Sequence, residues 1–433
     1  MRGQWLRRWT LLGRNWVNPV TWASQQALMP RQFRGKNQAQ WTNRSISAAL
    51  TTRRLLSTQT VISTRMETMA NKQTLPEEVR ELPKLSMKPI EEIDSMQIST
   101  ALGKNRPFVV RGWVKASDGW GLDDPKWARH TGQVTLVPGD DTTVSAASYV
   151  LRKSGMTREM TFQELFERIL GQGKWQPLMD PNERYYMFGG KVPSSLLEAL
   201  PWPSDLEFIG SSPYVASEGV TAKAHYDHWY AFLVQLHGTK AVKMFPPWDY
   251  SFIYPEHEKT TDNPRRALVD LNNPDFNQFP LLKQLHGEIA VLNAGDLLYM
   301  PVDWWHEVET AGFSVSINRR LRRSALDWAG ALLIFGYSVL QGAYRYGIEP
   351  IPSKEIKGLA THAYDEWKSD TGKTQYDQWC GYLAKLGRDQ SKSLRIPEDF
   401  GVLMAQWLQT EQEPTNAEFN GLSHPTAGLP VRQ

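Results

Sequence analysis

Three side chains, His225, Asp227 and His306, are of the types that could hold one metal ion together. His225 and Asp227 stand two apart in Ala224-His225-Tyr226-Asp227-His228-Trp229. In a strand, side chains two apart point to one face, so an imidazole and a carboxylate enter the same cavity while Tyr226 and His228 point away. The third candidate, His306, closes Pro301-Val302-Asp303-Trp304-Trp305-His306. Two imidazoles and one carboxylate on one side of an ion, with open positions opposite, make up the ligand set of non-haem Fe(II) oxygenases. Zinc enzymes use a similar set, which remains an alternative.

The flanking segments must carry these groups. Ala231 to Leu236 reads as a strand, His237-Gly238-Thr239-Lys240 as a turn, and Ala241 to Phe245 as a second strand closed by Pro246-Pro247. Glu288 to Leu292, the turn Asn293-Ala294-Gly295-Asp296 and Leu297 to Met300 repeat the unit. Two hairpins bringing ligands to one mouth predict a small antiparallel barrel.

The motifs His-Tyr-Asp at 225–227, Gly-x-Lys-x5-Pro-Pro at 238–247 and Gly-Asp-x-Leu-Tyr-x-Pro-x-x-Trp-Trp-His at 295–306 carry a resemblance. The stretch from Arg106 to Leu321 resembles the JmjC/cupin-like (cupin-8) 2-oxoglutarate dioxygenases, especially their asparaginyl hydroxylases. The resemblance implies a mainly β fold with flanking helices: a double-stranded β-helix of jelly-roll, cupin type, followed by a C-terminal helical extension. It implies Fe(II) on His225, Asp227 and His306, 2-oxoglutarate as cosubstrate, and O2. It implies a hydroxylase acting on a protein side chain or other macromolecule. An N-methyl-lysine demethylase of the same fold and a non-catalytic cupin-like binding module are the other readings; no zinc-finger cysteines accompany the former, since Cys380 is the only cysteine.

Three further positions match cosubstrate contacts of the family, and Thr221 lies next to a fourth. Lys240 would fix the far carboxylate of 2-oxoglutarate, as a point cation at the base of a strand can; alone, it reads as an exposed turn lysine. Tyr186, in Arg184-Tyr185-Tyr186-Met187, would bond the same carboxylate, or be a core tyrosine. Asn318 would reach the cavity from the strand after His306. The family places Thr or Ser three residues before the first ligand, where this chain has Ala222; a one-residue bulge would bring Thr221 into the pocket instead. Ala231 replaces a family asparagine. Trp304 and Trp305 either wall the pocket or fill the core. His228 lies off the ligand face, and the remaining histidines have no ligand-spaced carboxylate.

Residues 1–66 contain ten Arg and one Lys and no acid, Glu67 being the first. That composition reads as an organelle transit peptide, most simply mitochondrial, against a disordered basic or RNA-binding arm. The whole chain has 49 basic and 46 acidic residues; without the leader's eleven, 38 stand against 46, a net charge of −8. Such a body binds phosphate backbones poorly, so nucleic acid is not the expected partner. Residues 67–99 read as a linker, 100–322 as the catalytic domain, 323–412 as a helical region and 413–433 as a disordered tail. Short strands are expected at 106–113, 134–137 and 148–151. Met160 to Gly171 is expected to be helical, with Thr161 capping and Glu164 opposite it. Helices are expected at Leu326–Leu340, Ser353–Lys368, Gln375–Lys385 and Pro397–Gln409. The first is too short and too flanked by charge for a membrane span and would be buried or dimerising; the resemblance implies a homodimer through these helices.

Overall fold

The structure, a computed structural model, describes residues 85–115, 131–138, 143–144, 157–169, 183–188, 191–256, 265–348 and 351–422. The basic leader 1–66, the strand expected at 148–151 and the end of the expected tail lie outside these residues.

Among the described residues fifteen strands form two sheets. They are β1 (Ser86–Pro89), β2 (Glu91–Glu92), β3 (Phe108–Val110), β4 (Thr131–Pro138), β5 (Thr143–Val144), β6 (Thr157–Thr161), β7 (Glu183–Phe188) and β8 (Phe208–Ala216). There follow β9 (Thr221–His225), β10 (Ala231–His237), β11 (Lys240–Phe245), β12 (His286–Leu292), β13 (Leu297–Met300), β14 (Trp305–Thr310) and β15 (Ser314–Leu321). One sheet runs β1-β12-β11-β14-β9-β5 and the other β2-β3-β13-β10-β15-β8-β7-β4-β6.

The strands at both turns exist, but the two hairpins do not. β10 pairs with β13 and β15, whereas β11 pairs with β12 and β14, so the chain crosses between sheets at Gly238. The turn between β12 and β13 crosses in the same way. A tight Gly turn between two apolar runs looks alike in sequence whether it folds back in one sheet or steps to the next. Pairing is instead nested: β11 with β12, β10 with β13, β9 with β14 and β8 with β15, all antiparallel. That nesting winds one folded ribbon into the double-stranded β-helix. Gly238 is required at its crossing, because φ is +72° and a Cβ there would sit 2.1 Å from the Phe313 carbonyl oxygen.

The interior between the sheets is filled by Val242, Met244, Ala290 and Leu292 from one and Val109, Ala231, Leu233, Leu298 and Met300 from the other. Strand alternation sends the intervening residues outward. Tyr226 and Trp305, next to ligand candidates, pack at 4.7 Å between ring centroids, and Tyr226 meets Phe335 of the helix Ala325–Tyr346 at 5.4 Å. This helix therefore braces from behind the strands that carry the ligand candidates. Trp304 belongs to the interior cluster and Trp305 to the outer core, so both are fillers, one on each side of the sheet.

The helix Ala325–Tyr346 starts at a Ser324–Asp327 capping box and ends at Gly347 in the left-handed region. Its apolar length is spent inside the chain, from Ala329 through Ala343 without an exposed position. Helices Ser353–Thr371, Tyr376–Asp389 and Phe400–Thr410 follow near their expected places; the last begins three residues after Pro397. No helix among the described residues is long and apolar enough to cross a membrane. Thr161 does cap Phe162–Ile169, its Oγ1 accepting from the Glu164 N–H at 3.1 Å.

Two expectations at the margins are corrected. The linker carries β1 and β2, which add in parallel to β12 and β3. Their mostly exposed edge positions carry no apolar alternation to read. The tail contains the helix Asn416–Asn420, pinned by buried Phe419 and a Thr415–Glu418 capping box. A single large anchor residue was too little signal in a polar stretch.

Candidate functional site: a two-histidine, one-carboxylate cleft

Nested pairing explains why residues far apart in sequence meet. His225 at the end of β9 and His306 in β14 are direct cross-strand partners, with ring centroids 4.3 Å apart. Asp227 lies just beyond the strand, not within it as expected, yet its carboxylate still turns to the same side. Ligand atoms of His225, Asp227 and His306 all lie within 4.8 Å of one another, close enough to share a metal ion.

Both imidazoles are aimed by their own strands. His225 Nδ1 lies 2.8 Å from the Lys223 carbonyl oxygen and His306 Nδ1 lies 3.0 Å from that of Trp304. A carbonyl can only accept, so each Nδ1 donates its proton and each Nε2 keeps its lone pair for a ligand. Burial, with His306 beside it, lowers the His225 pKa to about 4, so the ring is neutral at physiological pH. Burial alone would raise the Asp227 pKa, but His225, His306, Arg265 and Arg320 outweigh it and hold the carboxyl at about 2. Two imidazoles and a carboxylate are the donors a divalent transition metal accepts.

The loop bearing Asp227 is tied to the loop before His306. The Asp303 N–H donates to the Asp227 carbonyl at 2.9 Å, and His228 Nδ1 meets Asp303 Oδ1 at 2.6 Å. Asp303 is buried and holds φ at +60°, a conformation that costs energy outside glycine. His228 thus does turn away from the ligand cluster, into a pair that braces it.

The cleft is partly open to solvent and is lined by Tyr214, Asp227, Trp229, Ala231, His306 and Asn318 among others. Asn318 is therefore where it was expected, and the family asparagine's place is taken by the methyl of Ala231. Lys240 lies on the interior face of β11, which also carries Met244, the partner of His306. It is 3% exposed rather than an exposed turn residue. Its Nζ donates to Ser316 Oγ at 2.5 Å, and no carboxylate pairs with it among the described residues. Burial lowers its pKa to about 7. Tyr186 shares the interior face through its pairing with Ala216. Burial, Tyr214 and Asp227 raise its pKa well above the ordinary tyrosine value.

Thr221 is corrected. The expected bulge is present: β9 takes three steps from Ala222 to His225 where β14 takes two from His306 to Val308. It acts in the opposite sense, however. The extra residue flips parity, so Ala222 shares the face of His225 and Thr221 pairs with Glu309 on the other face.

Sequence reasoning missed Tyr214, Ser316, Arg265 and Arg320. Burial and Asp227 push the Tyr214 hydroxyl up to about 12, and Arg265 Nη1 lies 3.9 Å from Asp227 Oδ1. The alternation of β15 places Ser316, Asn318 and Arg320 on one face and could have found two of them. Nothing local marks Arg265, which reaches the site because Arg266 bridges to His225.

Comparison with known proteins agrees with this arrangement. The family described as "Cupin-like domain" matches residues 94–320. "JmjC domain-containing protein D" of Dictyostelium discoideum is 36% identical over 105 residues, which are 24% of this chain and 23% of that protein. "tRNA wybutosine-synthesizing protein 5" of Gallus gallus is 32% identical over 112 residues, covering 26% of this chain and 33% of that protein. "HSPB1-associated protein 1" of Homo sapiens is 30% identical over 142 residues, covering 31% and 29%. The chain thus matches a third or less of each of these three relatives. The family match spans just over half of the chain and encloses all three metal-ligand candidates, and the chain belongs to the cupin-like domain family.

Proposed function

We propose that this protein is an Fe(II)- and 2-oxoglutarate-dependent dioxygenase that hydroxylates a C–H bond of a protein side chain or another macromolecule. One observation carries the reading: a buried ammonium, Lys240, without a carboxylate partner among the described residues, lies in the same jelly-roll interior as the His225, Asp227 and His306 cluster. A buried charge is costly without a counter-ion. A keto-diacid spanning from the metal to Lys240 supplies one. A zinc enzyme using the same trio has no need of it.

His225, Asp227 and His306 would hold the iron, and the bound iron with 2-oxoglutarate supplies the activation of O2 coupled to decarboxylation to succinate and CO2. This chain's own groups do the rest. Lys240, with Ser316 holding its Nζ, orients the far carboxylate, and Tyr186 and Asn318 flank the path. The Asp303–His228 pair keeps the Asp227 loop in register. Trp304 and Met300 keep water from the interior side.

A second reading, a non-catalytic binding module, is favoured by Ala222 and Ala231, which put methyl groups where the family has polar cosubstrate contacts. One experiment separates the two. Purified protein is assayed for succinate formation with and without iron and 2-oxoglutarate, alongside His225→Ala. Turnover that needs both and is lost in the variant supports the enzyme; a full complement of metal without any turnover supports the module.

The relatives' names mention tRNA wybutosine synthesis and association with HSPB1. The net charge of −8 outside the leader speaks for a protein or small-molecule substrate here. The acid-free segment 1–66 supports delivery to mitochondria. A homodimer would form through the shorter C-terminal helices, since the longest of them is already buried in its own chain.

A further inference from the structure

The run Arg319-Arg320-Leu321-Arg322-Arg323 spans the end of β15, which closes at Leu321. Three of these arginines have evident duties. Arg319 lies over the rings of Trp202 and Phe208, at 4.5 and 3.8 Å. Arg322 pairs with Glu207 and Glu366, and Arg323 with Asp327. Arg320 differs. It pairs in register with Ala231 and Gly210, lines the cleft with Asp227 and His306, and has its guanidinium 5.2 Å from the centroid of Trp229. No carboxylate lies at ion-pair distance from it among the described residues.

Its height in the cleft separates it from the cosubstrate. Ser316, the partner of Lys240, is four residues back on the same face, or ~13 Å along the strand. His306 is likewise four residues from Thr310, which pairs with Lys240. Arg320 and the metal-ligand trio are thus level, on opposing sheets, while the space down to Lys240 is what a keto-diacid would fill. Arg320 faces what comes in from the mouth.

We infer that Arg320, steadied against Trp229, binds an oxyanion, carboxylate or phosphate, carried by the substrate next to the bond that is oxidised. This rests on the metal-and-cosubstrate reading above. A guanidinium held by an aromatic ring presents a planar fork that suits a bidentate oxyanion. A cationic head such as a methylated ammonium would instead be desolvated between Arg320, Arg265 and the metal. The cleft carboxylate, Asp227, is already engaged by the trio. Like charges so placed repel strongly, so a methyl-lysine demethylase does not fit this cleft.

The test uses the full chain loaded with Mn(II) and the inert cosubstrate analogue N-oxalylglycine. Three 11-residue peptides, alike except for a central Glu, phosphoserine or trimethyl-lysine, are titrated in and their NMR lines followed. Mn(II) broadens protons of whatever side chain settles beside it. Selective broadening of the Glu or the phosphoserine peptide is expected, and which of them broadens identifies the source of the anion. Arg320→Gln should weaken that binding at least tenfold, and Arg320→Lys should restore part of it. Equal or stronger broadening of trimethyl-lysine, no broadening of any peptide, or an Arg320→Gln variant that binds the anion like the parent would overturn the inference. Failure of the parent to retain Mn(II) would remove the metal reading beneath it, a distinct result seen before any peptide is added.

Discussion

Replacing Lys240 by Met tests whether the buried ammonium is there for a ligand or for the fold. Met has similar length and no charge. Lys240 is 3% exposed, and burial lowers its pKa from 10.5 to about 7. That difference corresponds to ~5 kcal/mol against the charged form. The substitution removes this cost but leaves the Ser316 hydroxyl without its partner, at ~1–3 kcal/mol. Lys240→Met should therefore be more stable than the parent by about 2–4 kcal/mol below pH 7, a rise in Tm of roughly 2–5 °C at this chain size. The sign with pH follows from linkage. Between about 7 and 10.5 the unfolded chain holds the proton and the folded chain does not, so the parent gains stability as pH rises through that window. The variant lacks this gain, and the difference should be largest below pH 7 and close by pH 10.5. The same variant should bind 2-oxoglutarate about 30-fold more weakly or worse, because a buried carboxylate loses its cation. Denaturant melts at pH 6 and 9, with calorimetric titration of 2-oxoglutarate, measure both. A variant less stable than the parent at pH 6, or one that keeps its 2-oxoglutarate affinity, would refute the reasoning.

Four further outcomes follow from the geometry. Asp227→Ala should lower iron affinity at least ~100-fold, read as metal content after dialysis, because it removes the one anionic donor. Asp303→Ala should lower it by about 10-fold through the loosened Asp227 loop, without touching a ligand; unchanged metal content would argue against a bracing role. Thr221→Val should change the 2-oxoglutarate dissociation constant less than about twofold, since its face is turned from the cleft, and a large loss would restore the contact that the bulge takes away. Residues 1–66 fused to a fluorescent protein should send it to mitochondria, and diffuse fluorescence would remove the targeting proposal.

The His225 and Asp227 pair was legible in the sequence because its information is local, whereas His306, 79 positions after Asp227, was found through its motif. A His-x-Asp pair needs only strand alternation to converge, and the ligand types name their chemistry. The long C-terminal helices were legible for the same reason, through apolar period and end signals. Even so, Asp227 proved to lie past the strand end, where the Asp303 tie, rather than the pleat, aims it. The rest was decided by partners that no local pattern names. Gly238 looks like a hairpin turn until one knows that its two strands lie in different sheets. Thr221 is turned away by one extra residue in β9, and a parity change of that kind exists only relative to β14. Lys240 reads as a surface lysine until the second sheet closes over it. Arg265 and Arg320, from a loop and from the last strand, become neighbours of Asp227 only when the ribbon has wound. Alternation and ligand chemistry belong to the chain; register, burial and the sign of the field in the cleft belong to the packed sheets, because each is a relation between segments distant in sequence.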